Sequence, residues 1–233
     1  MKILVSDIDS DVSSIENNDL VAAINKFVSK GNMFIISTSK SINYIADSLA
    51  LLDINAEYYI CNSGAVIFDR YFNVLFRKDI RQELVRPIVN MLDDDDNILE
   101  IFIDTSHGFV RDTSSCANGI VARPFDKVKA EVLLNKIVLQ YPQIHGNVND
   151  NWLNIMDSDI NKCKALDYIR DTYRLSNYSI YVFGKDNTDL DMVSKYNGIL
   201  DINCSEDLKK YSGIRYNNLK EVIDYLLSLE DDK

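Results

Sequence analysis

The sequence predicts an α/β protein: a doubly wound parallel sheet that carries a small inserted α+β domain. Three observations predict it. The first sixty or so residues alternate buried-strand and amphipathic-helix patterns, the rhythm of a parallel sheet. From about residue 82 to 156 that rhythm breaks into mixed strands and helices. It then returns and runs to the end of the chain.

"KILVS" (2–6) is a continuous apolar run that stops at polar residues, as a strand buried on both faces does. Leu20, Val21, Ile24, Phe27 and Val28 follow at helical spacing, with Gly31 placed to end the helix. "MFIIST" (33–38) is a second buried strand. "SINYIADSLALLD" is a helix with Ile42, Ile45, Leu49 and Leu52 on one stripe, and "EYYICNS" is a third strand. "AVIFD" and "NVLFRKD" form a hairpin turning at "RYF".

The insert reads as helix ("QELVRPIVNML"), acidic turn ("DDDDN"), strand ("ILEIFID"), strands or loops through 107–123, helix ("DKVKAEVLLNKIVLQY") and strand ("WLNIM"). The run Asp93–Asp96 is expected to be a solvated helix end, since it lacks the Gly and Glu spacing of a calcium loop. Then come helix "KCKALDYIRDTY", buried strand "YSIYVFG", helix "TDLDMVSKY", short strand "GILDI" and closing helix "NNLKEVIDYLLSLE". The expected organisation is a discontinuous core, 1–81 and 157–233, interrupted by a cap at 82–156.

Composition narrows the function. Apolar residues make up 46% of the 233, enough for a substantial core. A net charge of −11 argues against nucleic acid or an anionic membrane as partner. The cysteines at 61, 116, 163 and 204 have no CxxC spacing, and two histidines are too few to suggest a zinc site. Scattered thiols, no leader pattern at the N-terminus and no membrane-length apolar run predict a cytoplasmic protein. His107 and His145 fall in the insert, where His107 is expected at the surface and Trp152 is expected to pack.

Ligands of open α/β sheets bind at the carboxyl ends of the strands. The first strand ends at Asp7 and Asp9, and the second at Ser37, Thr38, Ser39 and Lys40. "YSIYVFG" ends beside Lys185, Asp186 and Asp189, and Lys162 opens the preceding helix. Carboxylates, hydroxyls and an ammonium on one edge suit phosphoryl transfer from a monoester. An ionised Asp can attack phosphorus and divide a hard hydrolysis into two steps. Two anions approach only if neutralised, so Mg²⁺ on oxygen ligands and a nearby Lys are expected. A hydroxyl and backbone N–H groups would hold the phosphoryl oxygens, and a second carboxylic acid would protonate the leaving oxygen.

These segments resemble the motifs of the haloacid dehalogenase (HAD) superfamily, in the Cof-type, sugar-phosphate phosphatase branch with a type-2 cap. "SDIDSDV" resembles DxDGT, which implies Asp7 as nucleophile and Asp9 as general acid/base. "FIISTSKS" resembles the second motif, which implies Thr38 as the phosphate-binding hydroxyl, with Ser39 beside it at the substrate. "ICNSGAVIFD" resembles the NGA stretch before the cap. "DINKCKALDYI" resembles the third motif and implies Lys162 as the phosphate-binding lysine. "FGKDNTDLDM" aligns with GDGxNDxxM, which implies Asp186 and Asp189 as metal ligands together with Asp7 and Asp9, and Thr188 at the substrate.

The departures are specific. Ser10 and Asp11 replace the Gly and Thr of the first motif, and Asp11 reads as a turn residue. Ser39 and Lys40 replace the Gly and Arg of the second, and Cys163 a Gly of the third. In the fourth, Lys185 stands at the usual metal-binding aspartate, and Asp186 is displaced by one position. The resemblance implies a Mg²⁺-dependent phosphatase acting on a small phosphorylated metabolite. The rival reading is a HAD-like binding or regulatory module impaired by Lys185. A response-regulator receiver fits less well, because it would place its aspartate on a middle strand and would have no insert.

Overall fold

A computed structural model of the chain describes residues 1–7, 18–42, 45, 49, 53–149, 152–211 and 213–229. Asp9, Ser10 and Asp11 lie outside the described residues.

Among the described residues the strands form two sheets. The larger contains β1 (Lys2–Ser6), β2 (Met33–Ser37), β3 (Tyr58–Cys61), β4 (Val66–Asp69), β5 (Val74–Arg77), β11 (Ser179–Gly184), β12 (Asn197–Asp201) and β13 (Ile214–Tyr216). Its order is β13–β12–β11–β1–β2–β3–β4–β5. From β13 to β3 every pairing is parallel; β4 and β5 add an antiparallel hairpin at one edge. All of β1 is buried, which its uninterrupted apolar run requires. The chain winds outward from β1 to β3, then returns to the other side of β1 through β11. The winding therefore reverses between β1 and β11, and a crevice opens at their carboxyl ends. The predicted fold class, a doubly wound parallel core with a mixed insert, is the observed one.

Helices cover the faces. α1 (Asn18–Ser29) buries Ala23, Ile24 and Phe27, and Gly31 at φ +81° follows its end. Ile42, Ile45 and Leu49 of the next predicted helix are helical and buried.

The smaller sheet is antiparallel, in the order β7–β6–β8–β10–β9. It contains β6 (Ile98–Thr105), β7 (Gly108–Val110), β8 (Gly119–Pro124), β9 (Ile144–Asn149) and β10 (Trp152–Asp157). α2 (Gln82–Asp93) and α3 (Lys127–Gln140) pack on one face through Val85, Ile88, Leu92, Leu133 and Ile137. This second apolar cluster is distinct from that of the larger sheet, and Ile80 already belongs to it. Asp93 and Asp94 end α2 in solvent, and Asp95 accepts the Asn97 N–H in the turn that follows. Lys78 joins the two connections between the sheets, with Nζ 3.5 Å from Asp157 and 3.3 Å from Asp159.

Two strands lack a sequence signal. β9, "IHGNVN", is rich in residues disfavoured in strands and is held by its pairing with β10. β13 has three residues, too few for a period, and pairs only at the sheet edge. All four cysteines are free thiols.

Candidate active site

Asp7 follows β1 directly and is 4% exposed. α4 (Lys162–Thr172) begins across the crevice, with the Asn161 side chain accepting the Lys164 N–H to start it. Lys162, its first residue, has a fully buried side chain. Its ammonium lies 2.6 Å from Asp7 Oδ2 and 2.9 Å from Asp189 Oδ1. Such a pair holds together because each charge, once out of water, is compensated by the other.

Asp189 closes a tight turn after β11. Its other oxygen, Oδ2, accepts the backbone N–H of Lys185 at 2.9 Å and that of Asp186 at 3.4 Å. Asp186 in turn accepts the N–H and the hydroxyl of Thr188 at 2.7 and 2.6 Å. The Thr188 hydroxyl thus donates to Asp186 and helps to orient it. Carboxylate oxygens of Asp7, Asp186 and Asp189 all lie within 4.8 Å of one another. The Lys185 ammonium lies 5.8 Å over the Phe183 ring.

The loop after β2 forms the third wall. Thr38 is completely buried, and its hydroxyl accepts the Lys40 N–H at 3.0 Å. The turn after β3 fixes this loop: Ser63 N–H bonds Thr38 O, and Asn62 N–H bonds Lys40 O. Asn62, Ser63 and Gly64 all have positive φ. At Gly64, with φ +104°, a Cβ would lie 2.4 Å from the Asn161 carbonyl oxygen. Glycine is thus what lets this turn press against the start of α4 and so fix Lys162.

The structure brings Asp7, Thr38, Lys162, Asp186 and Asp189 to one end of the larger sheet, with Ser39 on the same loop. Asp7, Asp186 and Asp189 bring three carboxylates together, and the Lys162 ammonium contacts two of them. Oxygen-only ligands of this kind fit a hard divalent ion such as Mg²⁺.

Asn62, within the stretch read as NGA, meets Asp104, which the sequence reading did not single out. A cavity of about 340 Å³ separates the Ser39–Ser41 loop from the outer face of the small sheet. Asp104, on β6, lines it and is 3% exposed, and its Oδ2 accepts from Asn62 Nδ2 at 2.6 Å. Burial pushes the Asp104 carboxyl up to about 8, against the opposing pull of the Asn62 hydrogen bond. The period of two in "LEIFID" places Glu100, Phe102 and Asp104 together on that face, but does not say what the face meets.

A family model described as haloacid dehalogenase-like hydrolase matches residues 5–137, more than half of the chain. The chain belongs to that family. Solved structures with the same fold include a HAD subclass IIB sugar phosphatase, BT4131, at TM-score 0.77 and 16% identity, covering 97% of this chain and 99% of that one. TM0651 from Thermotoga maritima superposes at TM-score 0.80 with 15% identity, over 99% and 98% of the two chains. A haloacid dehalogenase-like hydrolase from B. subtilis superposes at 0.78 with 14% identity, over 97% and 100%. These neighbours share the fold of this chain over nearly its whole length. No curated protein matches the sequence. Among the described residues of this haloacid dehalogenase-like hydrolase, no helix is long and apolar enough to cross a membrane.

Proposed function

We propose that this haloacid dehalogenase-like hydrolase is a Mg²⁺-dependent phosphomonoesterase acting in the cytoplasm on a small phosphorylated metabolite, a sugar phosphate fitting best. The observation that carries the reading is the Lys162 ammonium held between Asp7 and Asp189, with Asp186 completing the acidic group.

The Asp7 carboxylate attacks phosphorus, and the bond to the leaving oxygen breaks. This gives an aspartyl-phosphate that water then hydrolyses. Lys162 offsets the charge of the incoming phosphate and holds Asp7 in one orientation. The Thr38 hydroxyl, whose oxygen accepts the Lys40 N–H, turns its proton to a non-bridging oxygen, with Ser39 beside it. The first motif assigns Asp9 the proton transfers, to the leaving oxygen and then from water. Asp7, Asp186 and Asp189, with Asp9 from the motif, would hold Mg²⁺. A bound Mg²⁺ supplies charge stabilisation to the transferring phosphoryl group. Residues 82–156 act as the cap, covering the site and supplying specificity contacts.

Lys185 favours one rival, a binding module that has lost turnover. The same experiment separates the two. Sugar phosphates and p-nitrophenyl phosphate are assayed with and without Mg²⁺ for the natural chain, Asp7→Asn and Lys185→Asp. Mg²⁺-dependent turnover that Asp7→Asn abolishes supports the enzyme. Turnover gained only on Lys185→Asp supports the module.

A further inference from the structure

The two helices that cover the small sheet differ on their outward faces. Along α2 the exposed stripe is Glu83, Arg86, Asn90 and Asp93, polar as a water-facing helix surface normally is. Along α3 the exposed stripe is Val128, Val132, Asn135 and Leu139, and Phe125 extends it just before the helix begins. Val128 is 69% exposed, Val132 65%, Leu139 85% and Phe125 82%. α3 therefore has two apolar faces. Leu133, Leu134 and Ile137 meet the sheet, and the second stripe stays in solvent. A contiguous apolar stripe of this kind marks an interaction surface.

The spacing and the flanking charges name the partner. Positions 125, 128, 132, 135 and 139 alternate steps of three and four, the seam by which one helix packs along another. Glu131 lies on one flank of this stripe and Lys129 and Lys136 on the other, and none of the three has an ion-pair partner among the described residues. In a parallel pair of α3 helices opposite flanks meet, so Glu131 of each copy faces Lys136 of the other. In an antiparallel pair like flanks meet, and Lys129 would face Lys136. We propose that α3 is a self-association surface: two copies of this chain pair their α3 helices side by side and parallel, with Phe125, Val128, Val132 and Leu139 in the seam. The four side chains and their charged flanks offer on the order of 500 Å² per copy, below the roughly 800 Å² of a standard stable interface, so the dimer is reversible and forms at micromolar concentration. The sheet already holds α3 in place, so pairing does not have to form the helix. The cavity toward the core lies on the opposite face of the small sheet, so pairing leaves the candidate active site open and needs no assignment of its chemistry.

Sedimentation equilibrium of the full chain at low salt, over about 1 to 300 µM, should show a reversible monomer–dimer equilibrium. Val132→Lys should weaken the dimer about ten-fold or more. Lys136→Glu sets Glu131 against a like charge and should weaken it about three-fold or more. Glu131→Lys/Lys136→Glu exchanges the two charges and should return the affinity to within about two-fold of the natural chain. All these positions are exposed, so the fold is retained, which thermal melting by circular dichroism checks. Orientation is read separately by oxidising Leu139→Cys in a Cys116→Ser background, since the remaining cysteines are buried. A parallel pair should cross-link through position 139, whereas an antiparallel pair would hold those thiols roughly 20 Å apart. A chain that stays monomeric at the highest concentration would overturn the proposal. So would undiminished association of Val132→Lys, a dimer tightened by Lys136→Glu, or no cross-link through position 139. Binding to phosphatidylserine vesicles without any dimer would overturn it in favour of a membrane surface.

Discussion

Lys162 Nζ and Asp7 Oδ2 lie 2.6 Å apart although 155 positions separate the two residues in the sequence. Both are nearly out of water: the lysine side chain is fully buried and the aspartate side chain is 4% exposed. The contact joins the end of β1 to the start of α4, and Asp189 closes the arrangement from the third side. A lysine that only served the surface would not be buried against two carboxylates. This relationship ties the fold to the proposed chemistry, and the first test acts on it.

Lys162→Met should abolish turnover and also destabilise the fold, because Asp7 and Asp189 would face each other buried and uncompensated. Breaking a buried pair in this way costs roughly 3–5 kcal/mol. Urea denaturation should show a lower midpoint, and Lys162→Met/Asp189→Asn should recover part of the loss.

Asp186→Asn should weaken divalent-ion binding about ten-fold or more, because it removes one charged ligand from the acidic group. Thr188→Val removes the hydroxyl that orients Asp186 and should weaken it less. Both are read from the rise in melting temperature with added Mg²⁺ and from Mn²⁺ binding by paramagnetic resonance, neither of which needs turnover.

Gly64→Ala should cost about 2–3 kcal/mol, since the new Cβ meets a backbone oxygen and φ is positive. The side of the clash is the N-terminus of α4, so activity should fall along with stability. An alanine variant as stable and active as the natural chain would mean that the turn does not press on α4 as described.

Asp104 sets a pH dependence of stability. Its folded-state pKa, about 8, lies above the ordinary 3.8, so the folded chain holds this proton more tightly than the unfolded one. The contribution is fully present below about pH 4 and is lost as pH rises toward 8. Asp104→Asn removes this slope. The melting temperature of the variant relative to the natural chain should therefore climb between those limits and level off above them.

The parallel core is legible in the sequence because its strands are buried on both faces and its helices keep a clear period, as in "KILVS" and in the stripe of Leu20, Ile24 and Phe27. The position of Lys162 beside Asp7 is legible only as a resemblance of motifs, since nothing local joins residues so far apart. "IHGNVN" is a strand because a neighbour pairs with it, and no local pattern records that. The one-residue offset of Asp186 could be noticed in the sequence. That its carboxylate reaches the group of Asp7 and Asp189 depends on the turn that Thr188 and the backbone of Lys185 hold in place. The pairing of Asn62 and Asp104 was hidden for a different reason: one lies in the turn after β3 and the other on the small sheet, and their hydrogen bond spans 42 positions.

The most direct test of the central claim is to acid-quench the protein during turnover of a radiolabelled phosphate monoester in Mg²⁺ and to locate the label. The account predicts phosphate bound covalently to the protein at Asp7, appearing no later than free phosphate and absent from Asp7→Asn, which should be inactive. Turnover that persists in Asp7→Asn would contradict it, as would label found at any other residue.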